Sequence, residues 1–122
     1  MASNLIVKIL RPEEWVALEQ AKETRGSAAD QADGFIHFST PEQVPETLAR
    51  HYQGEDDLIL ATLDPDALGD ALKWEPSRGG ALFPHLYGPL RRTDIMRHIS
   101  IQRGPDGVFV LPDDLCSQES RS

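Results

Sequence analysis

Side chains able to do chemistry gather in two stretches of the chain, GFIHFST at 34–40 and EPSRGGALFPHLYGPL at 75–90. In the first, His37 occupies the middle of a strand that packing alone would fill with Val or Ile, and Ser39 lies two residues on, on the same face. An imidazole in that position suits acid–base work or ligand contact, and it equally suits a hydrogen-bonded structural role. Ser39 and Thr40 read both as ligand contacts and as hydroxyl caps of the helix that follows.

The second stretch sets Glu75, Ser77, Arg78, His85 and Tyr87 among Pro76, Gly79, Gly80, Pro84, Gly88 and Pro89. Glycines let backbone approach a ligand closely, and prolines pre-organise their neighbours. Arg78 offers a fork of donors for a phosphate or carboxylate. Glu75 can accept from ribose-type hydroxyls or stabilise a cationic centre, and Tyr87 supplies a stacking ring and a hydroxyl. If His37 and His85 face each other across a phosphodiester, they form a general base and general acid. The plainer reading is a β-turn with structural prolines, Phe83 and Tyr87 in the core and Arg78 in solvent. His51 and His98 look peripheral. The expected catalytic set is His37, Glu75 and His85, with Ser39, Thr40, Ser77, Arg78 and Tyr87 as ligand contacts.

Several chemistries lack their parts. HExxH, CxxC, GxSxG, GxxxxGK[ST] and GxGxxG are all missing, and Cys116 stands alone, so no disulfide or structural metal site is expected, and a metal is open only if His37 and His85 converge with a carboxylate.

The elements that position these residues follow from patterning. Residues 5–10 form an apolar run of strand length, ended by Arg11-Pro12, where proline can open a helix. Trp15, Leu18 and Ala21 give that helix a buried stripe, and it should fade near Arg25-Gly26. Residues 27–33 are small and polar and read as a loop before the strand at 34–38. Thr40-Pro41-Glu42-Gln43 is a helix start, and the stripe Val44, Leu48 and Tyr52 carries the helix to about Gln53, with Pro45 disturbing its first turn. Strands are expected at 58–63, 72–74, 82–87 and 95–102, with a turn of helix opened by Asp64-Pro65. A hairpin turn at 104–107 should return through 108–110. Helices in the first half and strands throughout favour α+β over regular βαβ alternation.

With 122 residues, 39% of them hydrophobic and 26% charged, the chain suits one globular domain over residues 1–111 with a disordered polar tail over 112–122. No window has the length of apolar sequence a membrane-spanning helix needs and no signal peptide is evident, so the expectation is a cytoplasmic protein without a membrane partner, either monomer or homodimer. A net charge of −8 disfavours nucleic acid overall. Residues 73–103 nevertheless sum to about +4 against about −12 for the rest, which leaves a nucleic-acid or small-anion contact open there. Solvated arginines at strand ends explain the same charge.

The strings GFIHFST, the 58–63 strand followed by Asp64, and KWEPSRGG running on to FPHLYGPL resemble the hallmark motifs of the bacterial domain-of-unknown-function family 952, over about residues 4–103. More distantly, strand, helix, a strand ending in His-x-Ser, an apolar strand with Asp after it and a Ser-x-Gly turn are similar to the tRNA 2'-phosphotransferase branch of the ADP-ribosyltransferase-like fold. That likeness implies a split-sheet cleft holding NAD. His37 would contact the dinucleotide and fix a ribose with Ser39, Ser77 and Arg78 would lie by the pyrophosphate, Tyr87 would stack, and Glu75 would stabilise an oxocarbenium-like charge. Lys8 stands where that branch has a first-strand histidine. The function implied is an NAD- or ADP-ribose-type nucleotide-binding transferase. The residues also admit a non-catalytic nucleotide or small-anion binding module, or a histidine acid–base hydrolase of phosphodiesters.

Overall fold

The first apolar run forms β1 (Ile6–Leu10), with all five residues buried. It pairs antiparallel with β4 (Asp57–Leu63), which pairs antiparallel with β8 (Ile95–Gln102), so β4 is the central strand of a three-stranded sheet. The computed structural model describes residues 5–76 and 80–111. Alternation along β1 divides the apolar side chains between two clusters. Ile6 and Leu10 pack with Trp15 and Leu18 of α1 (Pro12–Ala21), while Val7 and Ile9 pack with Val44 and Leu48 of α3 (Val44–His51). Each fully buried Leu or Ile contributes about 1.5–3 kcal/mol, so the two helices are held to the sheet chiefly by these stripes.

A second three-stranded antiparallel sheet has β6 (Leu82–Leu86) between β3 (Ile36–His37) and β5 (Leu72–Pro76). Among the described residues the two sheets join at one bridge, where Val7 and Ser39 exchange backbone hydrogen bonds of 2.7 and 2.9 Å. A two-stranded ribbon pairs β2 (Glu23–Thr24) with β7 (Leu90–Arg91). The architecture is α+β, with small antiparallel sheets and few helices. No helix of the described residues is long and apolar enough to cross a membrane.

Local signals explain most boundaries. Pro12 opens α1 and Glu14 accepts a 2.8 Å hydrogen bond from the Arg11 amide. Thr40 and Gln43 cap each other's backbone amides around a 3-10 turn at Pro41–Gln43, which precedes α3 and absorbs the irregularity set by Pro45. Asp64 caps the short 3-10 stretch after β4.

Two expectations need correction. Helix α1 stops at Ala21, which is exposed, because Lys22 turns left-handed at φ 70 and the chain leaves to pair as β2. Residues 27–33 hold helix α2 (Ala28–Asp33), started by a reciprocal cap between Ser27 and Asp30 that a reading of the segment as merely polar overlooks. The turn expected at 104–107 is present and returns through 108–110, with an Arg103–Phe109 bridge and the amides of Gly104 and Val110 donating to the carbonyls of Val108 and Gln102. The tail expected over 112–122 lies outside the described residues.

Arg103 secures that end of the fold. Its guanidinium donates to the carbonyls of Tyr52, Gln53 and Glu55, just past α3, and to Gly107 across the turn, and it lies 4.5 Å from the Phe109 ring centroid. Arg103→Ala strands several of these acceptors and is expected to lower stability by about 2–3 kcal/mol, measured as a lower urea midpoint with an unchanged slope.

Candidate active site

A cleft of about 430 Å³ opens beside the bridge between the two sheets, and residues of β1, α2, β3, α3 and β6 line it. That volume is in the range of small-molecule sites. His37 and His85 are direct cross-strand partners in the β3–β6 ladder, and their ring centroids lie 5.4 Å apart, edge to face. Both line the cleft, as does the buried Ser39, whose hydroxyl is 3.2 Å from that of Thr47. Phe35 stacks on His85 at 4.1 Å and contacts His37 at 4.7 Å and Tyr87 at 5.2 Å, so one ring steadies the group.

Each imidazole is oriented by a carboxylate at Nδ1. His85 Nδ1 lies 2.8 Å from Glu75 Oε1, an oxygen that also accepts the Tyr87 hydroxyl at 2.8 Å. The hydrogen bond from His85, then that from Tyr87, lowers the Glu75 pKa, and the same contact with Glu75 raises that of Tyr87. Glu75 is thereby an ionised acceptor and His85 Nδ1 is the donor.

His37 Nδ1 lies 2.5 Å from Asp30 Oδ1, and the His37 amide donates to the same oxygen at 3.2 Å. The other Asp30 oxygen accepts from Lys8 Nζ at 2.8 Å and from the Ser27 amide at 2.9 Å. Lys8 and Asp30 are both buried, at 5% and 3% exposure, and Lys8 also donates to the His37 carbonyl at 3.1 Å. Burial pushes the Asp30 carboxyl up, but the His37 hydrogen bond together with the charge and hydrogen bond of Lys8 holds it well below the usual carboxylate range. His37 Nε2 faces a second carboxylate, Asp33 Oδ2, at 3.0 Å. Carboxylates only accept, so the ring satisfies both when both nitrogens carry protons.

The far wall carries Arg11, His51 and Tyr52. Arg11 binds Glu55 at 2.7 Å, which raises its pKa, and lies 5.0 Å from the Tyr52 ring centroid. Burial pushes the Tyr52 hydroxyl up to about 12.

Of the residues singled out in the sequence, His37, His85 and Ser39 meet in the cleft, and Glu75 and Tyr87 stand behind His85. Thr40 is spent on its cap, and Ser77 and Arg78 lie outside the described residues. His51 is corrected from peripheral to cleft-lining, because α3 turns its last residue towards the cleft. His98 rests on Trp15 at 4.4 Å. The cations of 73–103 do not line the cleft among the described residues: Arg92 sits over Trp15 beside Glu19, and Arg103 serves the far end. Lys8, Asp30 and Asp33 join the site only in the structure. A lysine centred in an apolar strand was the available signal, since a buried ammonium needs a counter-charge. Among the described residues no group of three or more His, Cys, Asp or Glu is placed to hold a metal.

The family model described as protein of unknown function DUF952 matches residues 9–98. The chain belongs to DUF952. The crystal structure of protein CC0527 from Caulobacter crescentus is 47% identical to it with a TM-score of 0.86, covering 91% of this chain and 97% of that one. The solution NMR structure of the same protein is 47% identical with a TM-score of 0.77, covering 85% and 90%. The Asp30, His37, Glu75 and His85 positions all fall inside the DUF952 match. No curated protein matches the chain. The matched structures are all forms of CC0527, and the ADP-ribosyltransferase-like likeness finds no support in them.

Proposed function

We propose that the cleft is an acid–base active site for a small nucleotide-class phosphodiester, with His85 as the base and His37 as the acid. One observation carries this: two imidazoles paired across a ladder face one cleft, each fixed at Nδ1 by its own carboxylate. His85 Nε2 takes the proton of an attacking hydroxyl or water as its oxygen bonds to phosphorus. His37 Nε2 gives its proton to the departing oxygen as the phosphorus–oxygen bond breaks. The rings lie edge to face with centroids 5.4 Å apart, close enough to act on the same phosphate group. The Ser39–Thr47 hydroxyl pair, which lines the cleft, fits the hydroxyls of a ribose beside them.

An NAD-type transferase would present Glu75 to the developing cation. Here Glu75 is committed to His85 and Tyr87 and does not line the cleft, which favours a positioning role.

The test is turnover of a ribonucleoside cyclic phosphodiester across pH, with thermal-shift titrations of the same compound, NAD and ADP-ribose. A bell-shaped rate profile without NAD is expected, since one imidazole must be neutral and the other charged. Nicotinamide release from NAD would overturn the reading in favour of the transferase. Stabilisation by a nucleotide without turnover would make the cleft a binding module; a ligand at 100 times its Kd adds about 2.7 kcal/mol.

A further inference from the structure

We infer that the Asp33 carboxylate occupies, in the free protein, the subsite for a single oxyanion of the ligand at His37 Nε2. The inference rests on the acid–base reading of His37 and adds the group the ligand must carry. Asp30 and Asp33 both bind the His37 ring, but they differ in every other respect. Asp30 is 3% exposed and ties four donors together, whereas Asp33 is 54% exposed and its contact with Nε2 is an exposed ion pair of the weak kind. Asp33 is also the last residue of α2, where the helix ends negative and disfavours a carboxylate, so His37 rather than the helix holds it there. Helix α2 itself buries no residue but Asp30, and Gly26 and Gly34 flank it at φ +97 and +89, so Asp33 can withdraw without disturbing the core.

Charge complementarity identifies the replacement. Lys8, Asp30, the His37 imidazolium and Asp33 sum to zero, and withdrawal of Asp33 leaves one positive charge on a cleft-lining nitrogen. A phosphate or carboxylate oxygen of the ligand restores the balance in the place that Asp33 leaves.

The experiment follows His37 ring nitrogens by NMR while the full chain is titrated with inorganic phosphate or, in a second arm, acetate. Wild type is compared with Asp33→Asn and Asp33→Ala. Phosphate or acetate should shift His37 Nε2, with the Kd of the tighter ion falling roughly fivefold in both variants as the internal competitor is removed. An unchanged or weaker Kd in both variants, with native amide spectra, would overturn the inference, as would ions that move no His37 resonance. The two readings fail separately. Tighter ion binding with no phosphodiester turnover sinks the acid–base reading and keeps the subsite, while turnover with an unchanged Kd does the reverse.

Discussion

Asp30→Ala is expected to destabilise the protein by about 3–5 kcal/mol, the largest loss of any single side chain at the site. The substitution leaves the Lys8 ammonium, 5% exposed in the middle of β1, without its counter-charge, and removes the only buried residue of α2. Lys8→Met with Asp30→Ala should recover most of the loss, because a buried pair exchanged for apolar groups is far less costly than half a pair. Acid titration gives an independent check. The folded Asp30 carboxyl is held below its ordinary value, so its contribution is fully present above the unfolded value of about 3.9 and is lost as pH falls towards the folded one. Urea midpoints of wild type should therefore fall below about pH 4, and the Asp30→Ala variant should lack this part of the decline. A loss of less than about 1 kcal/mol would mean that Lys8 reaches water when Asp30 is gone.

How far the site could be read from sequence depends on the range of the interactions. Capping at Thr40–Gln43, proline at the start of α1 and the stripe Val44–Leu48 are local, and α1 and α3 lie where these signals put them apart from the early end of α1. His37 stands out because it interrupts an apolar strand, and His85 because it lies with other polar side chains among the glycines and prolines of 75–90. Their direct pairing depends on β3 lying beside β6, a register set by the sheet as a whole, which spacing along the chain does not encode. Asp30 was lost among small polar residues because its value comes from Lys8, 22 positions away, and from His37, seven positions away. Its local clue was the Ser27–Asp30 cap, which marks a helix start even without an apolar stripe to follow. The charge of Glu75 is visible in the sequence, and only the β5–β6 pairing shows that charge turned to His85.

The histidines follow from that geometry with the second large expected effect. His37→Ala and His85→Ala should each reduce phosphodiester turnover by about 10²–10⁴-fold, the usual contribution of a positioned acid or base. Because acid and base act in one transition state, the double variant should lose little more than either single one. The pH profile separates the roles: His85→Ala should remove the rising acidic limb, where a base must lose its proton, and His37→Ala the falling alkaline limb, where an acid must keep it. Glu75→Gln leaves the His85 ring in place with a weaker acceptor, so its loss should be smaller and accompanied by a displaced acidic limb rather than a missing one. Additive losses from the two histidines, or profiles that keep both limbs in each variant, would mean that the rings act on different ligand groups and not as one acid–base pair. Stability distinguishes chemistry from packing, since His85 is 5% exposed under Phe35 while His37 is more open. His85→Ala should therefore lower the melting temperature and His37→Ala much less, so that a similar loss of turnover in both variants assigns the effect to proton transfer.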